Sequence, residues 1–333
     1  APDGFCQNKK FRRDIGAHFD YQAKDFELTK SVYLSRDTDT VAVVYDFTSV
    51  SGAAELILRP FAALRDFHSL QKSGANLYSV ELAKGLLISH NVHGGCELFL
   101  ACPSMNFEKD PQWWFNFVYR DDKQRGQEFT EDLWTPGFYK CTFDAPAKIV
   151  LWANIGKQNQ AEQIVNADIN ELCNTLQRHQ NNVISTAQAT DKIFETLCLA
   201  ADEFIANCQP ATGRTTILAG FPWFADWGRD AFISLPGLLL QTGRFEDAKS
   251  VLTTFAKAAD QGMIPNRFDD YSDTAYFNSI DASLWFINAA FQYLKAADDT
   301  ETFVQELLPV IRLIIDSYHS GTRFGTHADV DGL

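Results

Sequence analysis

The spacing of apolar residues changes character once along this 333-residue chain, near residue 160. Before that point apolar residues alternate or run in short bursts, at residues 39–47 (DTVAVVYDF), 54–59, 76–82, 85–89, 97–101, 113–119 and 148–153. Ser51-Gly52, Lys84-Gly85 and Gly94-Gly95 separate several of them as turns. Short strands at regular intervals, rich in Val, Tyr, Phe and Trp, predict an antiparallel β-sandwich over residues 1–158. After it the period is helical. Residues 161–179 place Ile164, Ile169, Leu172 and Leu176 on one stripe, which predicts a linker helix within 159–185. Five further helices follow at about residues 191–207, 231–242, 245–259, 282–297 and 302–319. Pro210, Gly213, Gly243, residues 262–265 and Gly321 punctuate them. A β-rich domain therefore precedes an all-α domain over 186–333. Without strand–helix alternation, Rossmann and TIM architectures are excluded.

Charge narrows the partners. With 29 Lys and Arg against 43 Asp and Glu, the formal net charge is -14. Such a surface repels phosphate backbones and anionic bilayers, so neither nucleic acid nor membrane is an expected partner. A neutral partner fits better. The seven cysteines are odd in number and include no C-x-x-C pair, which predicts thiols in a reducing compartment. The first ten residues carry no apolar signal-peptide core. The longest nearly apolar run, residues 231–240, is too short to span a bilayer and contains Pro236. The reading is a soluble, cytoplasmic protein.

Several chemistries leave no trace: there is no G-x-G-x-x-G, Walker A, H-E-x-x-H or G-x-S-x-G. His90 and His93 flank Asn91-Val92 ahead of a Gly94-Gly95 hairpin signal, and a turn is a stronger reading than a metal site. Residues 329–332 (DVDG) open like a calcium loop, but a plain Asp-Gly turn accounts for them better. No metal or cofactor is expected.

The informative stretch is residues 223–230, WFADWGRD. Two indoles, two carboxylates and a guanidinium fall within eight positions, just before a helix. Asp230 is placed to cap a helix starting near Ala231. Forked charged groups reach adjacent sugar hydroxyls while indole covers the ring face. That makes Trp223, Asp226, Trp227, Arg229 and Asp230 candidate sugar ligands. A second cluster spans residues 262–286, with Asn266, Arg267 and an Asp281 that again stands at a helix start. In a closed ring of paired helices, alternate members run in the same direction. The second and fourth helices after the linker then open at one end, bringing Asp230 and Asp281 together into a pocket. A helix N-terminus favours the ionised form of each.

In order along the chain, GFPWFADWGRD (220–230), LPGLLLQTGR (235–244), GMIPNRF (262–268) and NSIDASLWF (278–286) resemble the prokaryotic-type glycogen debranching enzymes, the amylo-α-1,6-glucosidases. DVDGL (329–333) matches too. So, more weakly, do LRPF (58–61), RDFH (65–68), Arg125-Gly126 and EDLWTPG (131–137). The resemblance implies a β-sandwich domain followed by the first part of an (α/α)6 barrel. It implies hydrolysis of α-1,6-linked glucose at glycogen or limit-dextrin branches, with inversion. It places Trp227, Arg229 and Asp230 on the glucose of the cleaved bond, with Asn266, Arg267 and Asp281 as further contacts. The α-glucan is then the partner.

About five of the barrel's twelve helices are expected here, so the chain reads as part of a longer enzyme whose general acid and base lie beyond Leu333. An incomplete barrel predicts that Leu238, Leu239, Trp285 and Phe286 face outward, inviting self-association or the rest of the barrel. Another (α/α)6 hydrolase, such as a glucoamylase or trehalase, and a non-catalytic glucan-binding protein are the competing readings.

Overall fold

The computed structural model describes residues 4–66, 69–83, 85–90, 97–156, 164, 166–208, 214–218, 220, 227–268 and 274–332. It divides into two compact units, residues 1–178 and 179–333.

The first unit is built on antiparallel strands: β1 (Asn8–Arg13), β2 (Ala17–Gln22), β3 (Phe26–Leu34), β4 (Thr40–Val50), β5 (Ala54–Leu58), β6 (Leu77–Leu82), β7 (Gly85–His90), β8 (Glu97–Ala101), β9 (Asn106–Val118), β10 (Thr130–Phe143) and β11 (Ala147–Ile155). Eight of them form one sheet in the order β1-β2-β3-β4-β11-β8-β7-β6, and β5-β10-β9 form a second. Phe47, Leu86, Ile88, Leu100 and Ile149 of the large sheet share a core with Leu58, Trp134 and Tyr139 of the small one. The other face of the large sheet carries Ala42, Leu87, Phe99, Ala101 and Trp152, packed with Ile164, Ile169 and Leu172. Successive side chains of a strand point to opposite faces. Leu86, Leu87 and Ile88 are therefore consecutive and all buried. This is why β7 reads as a short apolar run and not as an alternation.

Two strands run through prolines. In β10 the register shifts between Thr135 and Gly137, around Pro136; a residue without an N–H fits at such a bulge. Gly137 has φ +149, and a Cβ there would lie 2.1 Å from the Glu108 carbonyl oxygen. One carboxylate organises this end of the small sheet. Glu131, fully buried, accepts Arg65 Nε at 2.7 Å and Nη2 at 3.0 Å. It also accepts the Tyr119 hydroxyl and the Gln71 backbone N–H. Burial raises its pKa, but Arg65, Tyr119 and Gln71 outweigh burial, so the carboxyl is held below its ordinary range.

A short helix α1 (Arg120–Gln124) sits between β9 and β10, and the helix predicted at 161–179 is seen as α2 (Ile169–Thr186). Residues 157–163 and 165 lie outside the described residues.

In the second unit, α3 (Lys192–Asp202) starts on Asp191, whose side chain accepts the N–H groups of Ile193 and Phe194. The helix expected to reach residue 207 stops five residues short. Residues Ile205–Cys208 (β12) pair with Arg214–Ile217 (β13) as a hairpin. Ile217 is fully buried in the helical core, and this non-local anchor overrides the helical reading of residues 203–207. The unit is thus not all-α. It continues with α4 (Gly228–Leu235), a π-helical turn (Pro236–Leu240), α5 (Phe245–Lys257), the strand pair β14 (Arg267–Phe268) and β15 (Ala275–Tyr276), and α6 (Asp281–Ala297). A turn at Thr300–Thr302 and a second π-helical segment (Phe303–Leu307) then lead into α7 (Leu308–Ser320). Both π segments adjoin a proline, Pro236 or Pro309. Pro309 lacks the N–H for an α-helical bond and crowds the second segment before it, whereas Pro236 opens the first segment and accepts the Gln241 N–H through its carbonyl.

Phe232, Phe255 and Phe286 stack edge-on at ring separations of 4.9 and 5.5 Å, in one core with Leu235, Leu239, Leu252, Tyr293, Leu307 and Ile311. The expectation that Leu239 and Phe286 face outward is therefore corrected: both are fully buried. Leu238 and Trp285 pack partly against the same core. The exposed large apolar side chains of this unit are others, among them Ile280, Leu284, Phe291 and Leu313. The inner stripe of α4 and α6 is thus covered within the unit, because the two helices pack on each other. Residues 329–332 form the expected turn, with Gly332 N–H donating to the Asp329 carbonyl. His90 ends β7, and residues 91–96, including His93, lie outside the described residues. Among the described residues no group of three His, Cys, Asp or Glu side chains is arranged to hold a metal, and no helix is long and apolar enough to cross a membrane.

Candidate functional site

The start of α4 is set by its neighbours in space. Trp227 has extended backbone (φ -125, ψ 117) and bridges Arg267 in antiparallel fashion. Gly228 follows, buried against the next segment: a Cβ there would lie 2.6 Å from the Pro265 carbonyl oxygen. Gly228 N–H donates to the Asn266 carbonyl at 2.7 Å, and Arg229 N–H donates to Asn266 Oδ1 at 3.1 Å. A helix leaves its first N–H groups without intrahelical partners. Here a residue from another segment accepts two of them.

Asp230 therefore does not cap the helix, contrary to the sequence expectation. The helix begins at Gly228, its N-cap residue Trp227 makes no side-chain capping bond, and Asp230 lies inside its first turn. There 48% of the Asp230 side chain is exposed. Asp281 is likewise the first residue of α6, not its cap. The two helix starts meet. Arg229 joins them: its Nε lies 3.8 Å from Asp230 Oδ2, and its Nη1 lies 3.5 Å from Asp281 Oδ1. The Ser279 hydroxyl donates to Asp281 Oδ1. This hydrogen bond, with the nearby Arg229 charge, prevails over burial and holds the Asp281 carboxyl below its ordinary range. The result is a half-exposed surface of carboxylate, guanidinium and hydroxyl, built from groups that fork onto adjacent hydroxyls.

Asn266 belongs to this cluster in sequence but not at its surface. It is 1% exposed, and its own N–H donates to the Tyr276 carbonyl at 2.8 Å. Its side-chain oxygen faces the Arg229 backbone N–H. Arg267 is half-buried, with its guanidinium 4.6 Å from the centre of the Tyr276 ring, beside Trp227 through the backbone bridge. Trp223 and Asp226 lie outside the described residues. Sequence reasoning passed over Ser279 and Tyr276. The serine two residues before Asp281 was a legible signal, since a short hydroxyl at that spacing reaches a neighbouring carboxylate. Tyr276 carried none, because its partner Arg267 comes from the other strand of the pair.

Residues 1–150 match the family described as "Glycogen debranching enzyme N terminal". Residues 199–333 match the family described as "Amylo-alpha-1,6-glucosidase". A glycogen debranching enzyme of Saccharomyces cerevisiae is 40% identical over 102 residues, a stretch covering 29% of this chain and 7% of the yeast protein. Among solved structures, a putative kojibiose phosphorylase from the human microbiome aligns over 90% of this chain and 44% of its own, with TM-score 0.55 and 10% identity. A bacterial glucoamylase complexed with acarbose aligns over 93% of this chain and 49% of its own, with TM-score 0.54 and 14% identity. Those likenesses concern the fold, and this chain spans less than half the length of each of these proteins. The two family matches follow one another and together take in both structural units, so the chain belongs to the glycogen debranching enzyme family.

Proposed function

We propose that this chain belongs to a glycoside hydrolase that removes α-1,6-linked glucose at glycogen or limit-dextrin branch points, and that the Arg229 cluster holds the glucosyl unit. The observation that carries the reading is the convergence of Arg229, Asp230, Ser279 and Asp281 at two adjoining helix starts. Such a surface offers a neutral sugar both donors and acceptors without a net charge large enough to demand an ionic ligand. Trp227, which precedes Gly228 and Arg229 in the chain, and Trp223 and Asp226 complete the proposed ligand set. The inner ends of paired helices in an (α/α)6 ring would present these groups. The likeness in fold to a glucoamylase supports that ring.

Inverting hydrolysis needs one carboxyl that stays protonated as acid and one that activates water, roughly 6.5–9.5 Å apart. The Ser279 hydrogen bond and the Arg229 charge hold the Asp281 carboxyl below its ordinary range, which suits acceptance of hydroxyl hydrogen bonds better than a role as general acid. That observation also favours a second reading, in which this part of the chain binds glucan without itself carrying the acid. Two assays separate the readings. Calorimetric titration with a branched dextrin tests binding, and Arg229→Ala should abolish it. Release of glucose from limit dextrin tests hydrolysis. Because the acid and base are expected beyond residue 333, release is read on a chain extended to the length of its relatives: release there supports the first reading, binding without release supports the second, and neither binding nor release removes both.

A further inference from the structure

Asn266 occupies an unusual place for a residue inside a candidate sugar site: buried, and bonded to backbone on two sides. Its carbonyl accepts Gly228 N–H, its side-chain oxygen accepts Arg229 N–H, and its N–H donates to the Tyr276 carbonyl. Around it, Trp227 bridges Arg267 and Arg267 pairs with Tyr276. Three chain segments, at residues 227–229, 266–267 and 276, are thus tied through this one side chain and its backbone. Pro265 and Gly228 are so close that no side chain fits between them.

We propose that Asn266 is a positioning residue for the site: by fixing the first turn of α4 it sets the Arg229 guanidinium between Asp230 and Asp281. This rests on the sugar-binding reading of the Arg229 cluster. A local interaction could cap the helix, as Asp191 caps α3. Here the cap comes from a later motif, residues 262–268, so the helix start and the β14–β15 strand pair cannot move independently. Arg229 follows the backbone that Asn266 holds. Its two carboxylate contacts, at 3.8 and 3.5 Å, are long enough that a small rotation of the first turn would break one of them. Charge-assisted bonds to a ligand depend on the same placement.

The test uses Asn266→Asp, which keeps the side-chain acceptor, Asn266→Leu, which removes it at similar size, and Arg229→Ala. Two quantities are read on folded protein well below each variant's Tm: the Kd for a branched dextrin, and the titration of the Asp281 carboxyl by 13C NMR. Misplacement of a binding group by about an ångström costs up to about 100-fold in productive engagement, so Asn266→Leu should weaken binding on the order of tenfold or more. It should also move the Asp281 titration upward, because Arg229 no longer sits beside that carboxylate. Asn266→Asp should stay near the wild-type Kd. If Asn266→Leu lowers Tm but leaves both Kd and the Asp281 titration unchanged, Asn266 is structural only and the proposal is overturned. If Arg229→Ala leaves Kd unchanged, the sugar reading of the cluster fails instead. If Asn266→Leu does not fold, Asn266→Ala, whose smaller side chain admits water to the Arg229 N–H, is read by the Asp281 titration. An unchanged titration there overturns the proposal in the same way.

Discussion

Arg229 Nη1 lies 3.5 Å from Asp281 Oδ1, and this contact joins the first turns of two helices separated by α5 and the β14–β15 strand pair. Only the packing of α4 on α6 brings them together. The contact also explains why the two polar-aromatic clusters of the sequence belong to one surface.

Asp230→Asn and Arg229→Lys separate a sugar site from a packing device. Asp230 does not cap its helix and is about half exposed, so Asp230→Asn should change stability by no more than about 0.5 kcal/mol. Hydrogen bonds to a charged group contribute about 1.5–3 kcal/mol each, so the same variant should weaken dextrin binding roughly 10- to 100-fold. Arg229→Lys keeps the charge but loses the planar fork that spans Asp230 and Asp281, and binding should fall comparably. Titration calorimetry and thermal melts on both variants check this. Wild-type affinity in both would exclude the assignment.

Gly228→Ala should damage stability and site together. The new Cβ meets the Pro265 carbonyl 2.6 Å away, and neither backbone segment has room to yield. Overpacking of this kind costs about 1–3 kcal/mol. Because the glycine adjoins Arg229, dextrin affinity should drop as well. Urea denaturation and the binding titration read the two effects separately, and a variant as stable as wild type would show that the segments are looser than described.

Glu131→Gln should destabilise the first unit in a pH-dependent way. Removing one partner of a buried ion pair costs about 3–5 kcal/mol, and the lower end applies because Arg65 is partly exposed. The sign follows from the lowered pKa. The ionised carboxylate stabilises the fold above its ordinary titration range, and this contribution is lost as pH falls through the lowered value. The stability gap between wild type and variant should therefore be full at neutral pH and close in acid. Urea midpoints at several pH values measure it, and a gap independent of pH would contradict the ion-pair account.

Phe232→Ala tests the core that supports the site. The ring is 1% exposed and touches Phe255 and Phe286, so its removal should cost about 3–5 kcal/mol. A loss below about 1 kcal/mol by chemical denaturation would mean the three rings do not interlock.

The change from strands to helices was legible because apolar periodicity records which face is buried. β8 begins and ends where its residues predict. β1, by contrast, reads NKKFRR and shows no apolar alternation, because an edge strand is held by backbone pairing with β2 and not by burial. Residues 130–143 hid as a strand because Thr135-Pro136-Gly137 carries turn chemistry that the structure uses as a bulge. In the candidate site, the residue types pointed to Arg229, Asp230 and Asp281, which the structure brings together. Whether a side chain faces ligand or backbone depends on partners in other segments, and so Asn266 looked like Arg229 until its burial was visible.

The place of β11 in the large sheet has a consequence for how this chain is made. β11 pairs with β4 on one side, Val44 opposite Val150, and with β8 on the other, Ala101 opposite Trp152. Until residues 147–155 leave the ribosome, the β1–β4 meander and the β6–β8 meander are two partial sheets, each with an open edge. Closing the sheet joins residues far apart in sequence, a slow step for any chain, and open edges in the interval invite wrong pairing. Synthesis therefore passes through a vulnerable window that a single late strand ends.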